Sequence, residues 1–231
     1  MNGEKKILLV DKPKGMTSFA VVREIRKRLG VRKVGHAGTL DPLASGLLII
    51  GVGEGTKLLT SYLKLPKTYE AEILLGESRT TGDMEGEVVA RQAVGNVQNP
   101  DLAHALSSMT GVLELPVSPY SALKRGGEPL YKKARRGEFV EPPVRQMEVQ
   151  RTALGEVERE GDAMVIKATF DVGSGTYVRS LAEELGRRLG LPATLRELRR
   201  TRIGNFRVQD ALELPELKDI HISTDIKESP C

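Results

Sequence analysis

The sequence predicts an α+β fold: a mixed, largely antiparallel central sheet with flanking helices. Strand-length apolar runs and segments of helical period interleave along the chain without a regular βαβ rhythm. Residues 69–75 open with the clean apolar–polar alternation of a half-buried antiparallel strand. Two long strand candidates, residues 144–154 and 163–172, are separated by the polar turn around Glu160-Gly161-Asp162.

Taken in order, Ile7-Leu8-Leu9-Val10 is a short buried strand. Thr17 or Ser18 caps a helix whose apolar face is Phe19, Val22, Ile25 and Leu29, and Gly30 ends it. Residues 46–52 form a central strand and residues 57–63 a short helix. Asn99 with Pro100 starts another helix in the preferred order of cap and first turn, and Gly111 stops it. Residues 176–189 are helical, with Val178, Leu181, Leu185 and Leu189 on one face. From about Leu214 the chain turns acidic and polar, as a loosely attached tail does. No internal repeat or low-complexity linker interrupts the pattern.

Composition narrows the function classes. At 231 residues the chain suffices for one large domain or two small ones. Hydrophobic residues at 39% and charged residues at 29% are those of an ordinary globular protein. No apolar run approaches the roughly 20 residues of a membrane span, so no membrane association is expected. The apolar stretch after Lys6 is too short for a secretory signal, so a cytoplasmic location is expected. Cys231 is the only cysteine, which removes a disulfide framework and a Cys-based zinc site. His36, His104 and His221 are scattered without metal spacing, so no metal is expected.

The net charge is only +4, but the cations are bunched. Arg23, Arg26, Lys27, Arg28, Arg32 and Lys33 form one group. Lys124, Arg125, Lys132, Lys133, Arg135 and Arg136 form a second, and Arg196, Arg199, Arg200 and Arg202 a third. Three such runs on a nearly balanced background suggest a polyanion footprint, with nucleic acid the leading candidate. Four Phe, five Tyr and no Trp argue against a stacking platform for single strands.

The stretch from Gly35 to Ser45, Gly-His-Ala-Gly-Thr-Leu-Asp-Pro-Leu-Ala-Ser, carries the most chemical information. It holds one carboxylate, Asp41, in a loop of glycines, small residues and one proline, directly before the apolar run Gly46-Leu47-Leu48-Ile49-Ile50. Glycine removes the steric barrier to a close ligand, and an acid there is a candidate for chemistry. Alone, an Asp-Pro pair does no more than organise a turn. Residues 51–57, Gly-Val-Gly-Glu-Gly-Thr-Lys, are similar to a phosphate loop but miss both the Walker and the dinucleotide spacing; a strand-to-helix turn explains their glycines. Gly173-Ser174-Gly175-Thr176 is the better phosphate candidate, because Arg179 follows one turn into the helix.

Five segments then line up. They are Asp11-Lys12-Pro13-Lys14-Gly15-Met16-Thr17-Ser18, the Asp41 loop, and Lys67-Thr68-Tyr69-Glu70-Ala71 through Gly76 to Asp83. Tyr120-Ser121-Ala122-Leu123-Lys124 through Tyr131 to Arg135 follows, then Gly175-Thr176-Tyr177-Val178-Arg179 with Leu198-Arg199-Arg200. In this order and spacing the chain resembles the TruB family of tRNA pseudouridine synthases over residues 6–213. The Asp41 loop together with the Gly-Thr-Tyr-Val-Arg segment is the most specific part.

The resemblance implies a pseudouridine synthase fold and an isomerase of RNA modification. Its substrate is the uridine at position 55, in the usual tRNA count, of the T loop. The bond from C1′ to N1 breaks, the uracil turns in place, and C5 joins C1′, so neither cofactor nor metal is required. Carried over by matched position, Asp41 is the catalytic carboxylate, adding to the base, attacking C1′ or taking a ribose proton. Each path needs an ionised acid beside the sugar. Arg179 matches the arginine that pairs with this acid and holds it ionised against desolvation. Tyr69 matches the tyrosine that stacks on the target uracil, and His36 the histidine that fills the space of the extruded base. Asp83 and Leu198 match site-lining positions. Lys12, Tyr120, Lys124 and Arg200 approach the RNA backbone or support the pocket.

Two departures from the family pattern stand out. The usual Thr-x-Thr before the Asp83 position is here Ser78-Arg79-Thr80-Thr81-Gly82-Asp83. Many members carry a C-terminal PUA module, for which the residues after Leu214 are too few. A catalytic domain over residues 1–213 with a short tail over 214–231 is therefore expected, acting as a monomer on the tRNA T stem-loop. A non-catalytic T-loop binder or tRNA-folding chaperone is the alternative from another class; binding alone has no need of Asp41, Tyr69 and Arg179 together. A guide-RNA-dependent relative is disfavoured by the missing module, and a nucleotide-binding enzyme by the glycine spacing.

Overall fold

The computed structural model describes residues 5–121 and 123–214. Of the expected tail over 214–231, all but Leu214 lies outside the described residues. In chain order the elements are β1 (Lys5–Lys12), α1 (Ser18–Leu29), β2 (Val34–Ala37), β3 (Ser45–Gly53), α2 (Leu59–Leu63), β4 (Lys67–Leu75), β5 (Glu77–Arg79), β6 (Val88–Arg91), α3 (Asn99–Ser107) and β7 (Gly111–Pro116). Next come β8 (Lys124–Arg125), β9 (Glu128–Pro129), α4 (Leu130–Arg135), β10 (Val144–Glu160) and β11 (Ala163–Val172). The last are α5 (Val178–Leu189), β12 (Ala193–Ile203), β13 (Phe206–Arg207) and β14 (Leu212–Glu213). The chain divides into two compact units, residues 1–70 with 198–231 and residues 71–197.

In the first unit β1 and β3 pair antiparallel from Lys5↔Gly53 to Lys12↔Gly46. β14 joins β1 in parallel, β12 joins β3 in parallel at Arg199↔Ser45 and Arg200↔Gly46, and β2 pairs antiparallel with β3. The apolar runs of β1 and β3 are continuous because both faces are covered. Leu8, Val10, Leu48, Ile50 and Val52 pack with Val21, Val22 and Ile25 of α1. The alternate residues Ile7, Leu9, Leu47 and Ile49 pack with Tyr62 of α2, Ile203 and Val208.

Helix α1 starts where the sequence indicates. Thr17 caps it, its hydroxyl accepting from the Ala20 amide at 3.0 Å, and Gly30 closes it. Its buried stripe differs: Ser18, Val21, Val22 and Ile25 turn inward, while Phe19 stays 60% exposed. The sheet accepts one stripe of the helix, and Phe19 lies about 100° round the axis from Ser18.

The glycines of residues 51–57 serve packing. A 3₁₀ turn, Glu54–Leu58, follows β3, and a Cβ on Gly55 would lie 2.0 Å from the Lys6 carbonyl oxygen. Side-chain-free backbone is what lets this turn sit on β1.

The second unit is built on the β10–β11 hairpin, paired from Val149↔Val172 to Glu160↔Ala163, with β4 beside β11 and β7 beside β10. Strand β10 runs to Glu160, past the expected end at residue 154, because the hairpin pairing continues to the turn. Val178, Leu181, Ala182 and Leu185 form the buried side of α5. Helix α3 ends at Ser107, and Gly111, expected to stop it, instead opens β7. Its cap is Gln98, whose amide donates to Asp101 at 2.9 Å; Asn99 is already helical.

The parallel β1–β14 and β3–β12 pairs among antiparallel neighbours, with helices alongside, make this the mixed, largely antiparallel α+β architecture the sequence indicates. Strands β2, β7 and β12 have no counterpart in the sequence reading. Among the described residues no helix is long and apolar enough to cross a membrane.

Ile49→Ala, at a site with 0% exposure, is expected to lower stability by about 2–5 kcal/mol. Phe19→Ala is expected to change it by no more than about 0.5 kcal/mol. Chemical denaturation of both variants checks this.

Candidate active site

The Asp41 segment is a strand followed by a loop. Val34–Ala37 pairs with β3, so the loop proper covers residues 38–44 and is shorter than the sequence indicates. Leu40, Leu43 and Ala44 point inward, whereas Asp41 is exposed. The acid is therefore accessible from solvent.

Its backbone neighbours are pinned on both sides. The Leu40 amide donates to the Ser18 hydroxyl at 2.8 Å, and that hydroxyl donates back to the Leu40 carbonyl at 3.0 Å. The Gly15 amide donates to the Pro42 carbonyl at 2.7 Å, and the Ala44 amide to the Asp41 carbonyl at 3.1 Å. Ser18, 1% exposed, is a positioning residue that the sequence reading assigned only to capping. Thr17 takes the cap, which frees Ser18 to face the loop.

Three buried cations lie beneath. Arg200, 1% exposed, donates to the Leu47 carbonyl at 2.8 Å, the Gly38 carbonyl at 3.0 Å and the Tyr69 hydroxyl at 3.5 Å. Its guanidinium carbon sits 6.0 Å from the Tyr69 ring centroid. The parallel Arg200↔Gly46 pairing brings the Arg200 backbone so close that a Cβ on Gly46 would lie 2.3 Å from its carbonyl oxygen. Only glycine fits there.

Lys12 is fully buried and donates to the carbonyls of Pro13 at 2.9 Å and Met16 at 2.6 Å. Burial lowers its pKa to about 8; the Asp41 carboxylate opposes that shift and Arg200 adds to it. Lys67 donates to the carbonyls of Leu63 and Leu65 at 2.8 and 2.5 Å, and its pKa falls to about 8 through burial and then Arg200. The sequence carried a signal for Lys67, since it shares the inward face of β4 with Tyr69, Ala71 and Ile73. His36 is held below its usual pKa by burial and by Arg200, and its buried Nδ1 has no hydrogen-bond partner. Of the two roles expected for Lys12 and Arg200, RNA contact or pocket support, their burial fits the second.

The second unit holds another buried charge cluster. Arg179, 8% exposed, lies 3.3 Å from the carboxylate of Asp83 and donates to the carbonyls of Thr81 at 3.1 Å and Tyr120 at 3.4 Å. Asp83 in turn accepts from the Thr81 hydroxyl at 2.6 Å and the Glu85 amide at 3.1 Å. Thr81 thus supplies the hydroxyl that steadies Asp83. Tyr120 and Leu198 are half-buried, and Lys124 is exposed on the β8–β9 hairpin.

The basic groups, expected together to form a polyanion footprint, differ in their partners. In the third group Arg199 makes a two-toothed pair with Asp11 at 2.6 and 3.1 Å, Arg196 pairs with Glu160 at 2.6 Å, and Arg200 is internal. These arginines are structural because each meets a carboxylate or carbonyl inside its own unit.

Comparison with known proteins matches this fold and residue pattern. Residues 26–178 fit the family model described as TruB family pseudouridylate synthase (N terminal domain), and residues 179–230 the tRNA pseudouridylate synthase B C-terminal domain. The tRNA pseudouridine synthase B of Mycobacterium sp. (strain KMS) is 41% identical over 92% of this chain and 72% of its own length. That of Leifsonia xyli subsp. xyli is 43% identical over 92% and 71%, and that of Aromatoleum aromaticum 45% over 92% and 67%.

Among solved structures, one of an H/ACA RNP bound to a substrate RNA containing 2′-deoxyuridine matches 93% of the chain at 26% identity and TM-score 0.69. An archaeal box H/ACA sRNP Nop10-Cbf5 complex matches 93% at 26% and 0.67. This chain spans about half the length of those two solved chains, 52% and 53%. The class is thereby defined: an RNA-modifying enzyme, a pseudouridine synthase. The chain belongs to the TruB family of tRNA pseudouridine synthases.

Ser18→Ala removes both bonds to Leu40, and kcat for pseudouridine formation is expected to fall about ten-fold or more while RNA affinity stays within about three-fold. Single-turnover kinetics with a binding titration separates the two. An unfolded lysine titrates near 10.5, so between about 8 and 10.5 the unfolded chain holds protons that folded Lys12 and Lys67 have released. Their burial penalty therefore fades and stability rises with pH across that window. Denaturation from pH 8 to 10.5 is expected to show a flatter trend in Lys67→Met than in the parent chain.

Proposed function

We propose that this chain converts the uridine at position 55 of the tRNA T loop to pseudouridine, as a stand-alone cytoplasmic monomer whose catalytic domain covers residues 1–213. Asp41 is the catalytic carboxylate, acting on a nucleotide swung out of the loop. The C1′–N1 bond breaks and a C1′–C5 bond forms; the proton leaving C5 and the proton gained at N1 balance, so no electrons or groups are exchanged. Tyr69 supplies the stacking partner for the uracil, His36 occupies the space the nucleotide vacates, and Arg179 is the third catalytic residue. Leu198 and Asp83 line the site, and Tyr120 and Lys124 serve the RNA.

What carries this reading is one observation: an exposed carboxylate stands on a backbone pinned at both neighbouring residues, above the buried cations Lys12 and Arg200. Such an arrangement keeps the acid aimed without a reorganisation cost during reaction. A protein that only bound the T loop would have no use for it. Relatives named tRNA pseudouridine synthase B, 41–45% identical, support the same substrate class.

Asp41→Asn is expected to abolish pseudouridine formation on an unmodified tRNA transcript, with RNA affinity within about an order of magnitude of the parent. Mapping pseudouridine in the treated transcript reads both the activity and its position. Turnover by the variant, or modification elsewhere in the tRNA, would falsify this assignment.

A further inference from the structure

We propose that the outward face of α1 is a second RNA-docking surface, a cationic stripe that grips the phosphate backbone of a base-paired stem of the substrate, away from the reacting nucleotide. The proposal rests on tRNA being the substrate. Phe19, Arg23 and Lys27 are spaced four residues apart, so they share one helix face over a rise of about 12 Å. Arg32 follows just past the helix end. Arg23, Lys27 and Arg32 are all exposed, and none makes an ion pair among the described residues.

The nearby acids are already engaged. Glu24 bonds to Arg28 at 2.7 Å, and Glu54 bonds to Lys33 and Lys57 at 2.7 and 2.5 Å. Arg26 donates to the Val34 carbonyl at 2.7 Å and lies 5.9 Å from the Phe19 ring centroid, so the patch is held in place from beneath. An open recess of about 610 Å³, lined by Arg26, Lys27, Gly30, Val31 and Arg32, continues the surface beyond the helix end.

Helix electrostatics accounts for only part of this charge. Cations in the last turn, Arg26, Lys27 and Arg28, complement the dipole. Arg23 lies too early for that effect and Arg32 beyond the helix. Three exposed cations of the second unit, by contrast, are matched: Arg151, Lys167 and Arg187 pair with Asp171, Glu156 and Glu184. Exposed cations that make no ion pair among the described residues, on one face of an enzyme acting on a polyanion, point to a phosphate contact.

The test compares two triple variants on an unmodified tRNA transcript. Arg23→Gln/Lys27→Gln/Arg32→Gln is expected to weaken binding about ten-fold or more at physiological salt. It is also expected to make the slope of log K against log salt shallower by about two, since each phosphate contact contributes about 0.7–0.9. The single-turnover rate at saturating transcript should stay within about two-fold of the parent. Arg151→Gln/Lys167→Gln/Arg187→Gln removes the same net charge and is expected to change neither affinity nor slope. Unchanged affinity and slope in the α1 variant, or equal weakening in both variants, overturns the proposal. A parent protein that makes no pseudouridine yet loses RNA binding through the α1 variant removes the functional reading while upholding the surface.

Discussion

The buried guanidinium of Arg200 is the constraint around which the first unit is organised. A charge that is 1% exposed must have its donors satisfied, and three elements supply the acceptors: Leu47 of β3, Gly38 of the Asp41 loop and the Tyr69 hydroxyl of β4. Meeting that demand ties the loop to the strands. It also explains Gly46, whose missing side chain lets the Arg200 backbone approach. Burial first, and then the same charge, depresses the pKa of Lys12, Lys67 and His36. The interior below Asp41 is thus electropositive, and the exposed carboxylate is its natural complement.

Two kinds of rigidity meet in this molecule. In the first unit, hydrogen bonds with the Ser18 hydroxyl and the Gly15 amide fix the backbone on either side of Asp41 while its side chain stays accessible. In the second, Arg179 is fixed through its side chain by Asp83, Thr81 and Tyr120, and Asp83 is itself held by Thr81 and Glu85. Each arrangement fixes geometry before any ligand arrives, which is where positional catalysis draws its advantage. Near Asp83 it is a threonine hydroxyl, that of Thr81, that reaches the carboxylate.

The cations divide between inside and outside. Arg199, Arg196 and Arg200 hold strands and loops together, whereas Arg23, Lys27 and Arg32 face solvent and make no ion pair among the described residues. Bunching along a sequence therefore does not equal bunching on a surface. Kinship with chains from H/ACA RNP structures extends to the fold, while the 41–45% identical relatives are named for tRNA modification. A shared fold leaves the RNA partner to be set by surfaces such as α1.

Much was legible from residue order alone. Continuous apolar runs declared β1 and β3, Thr17 and Gly30 bracketed α1, and alternation announced β4, because burial pattern and backbone preference are local properties. The Asp41 loop stood out for the same reason, its glycines and proline being readable without neighbours. Strand β12 was not legible, since its arginines hide a pairing supplied by β3. Tertiary structure alone decided that Ser18 clamps Leu40, that Lys12 and Arg200 face inward, and that Phe19 does not. Those outcomes depend on which partner lies across from a side chain, and contacts between residues 22 or 162 positions apart, as for Ser18–Leu40 and Gly38–Arg200, leave no mark in either local sequence.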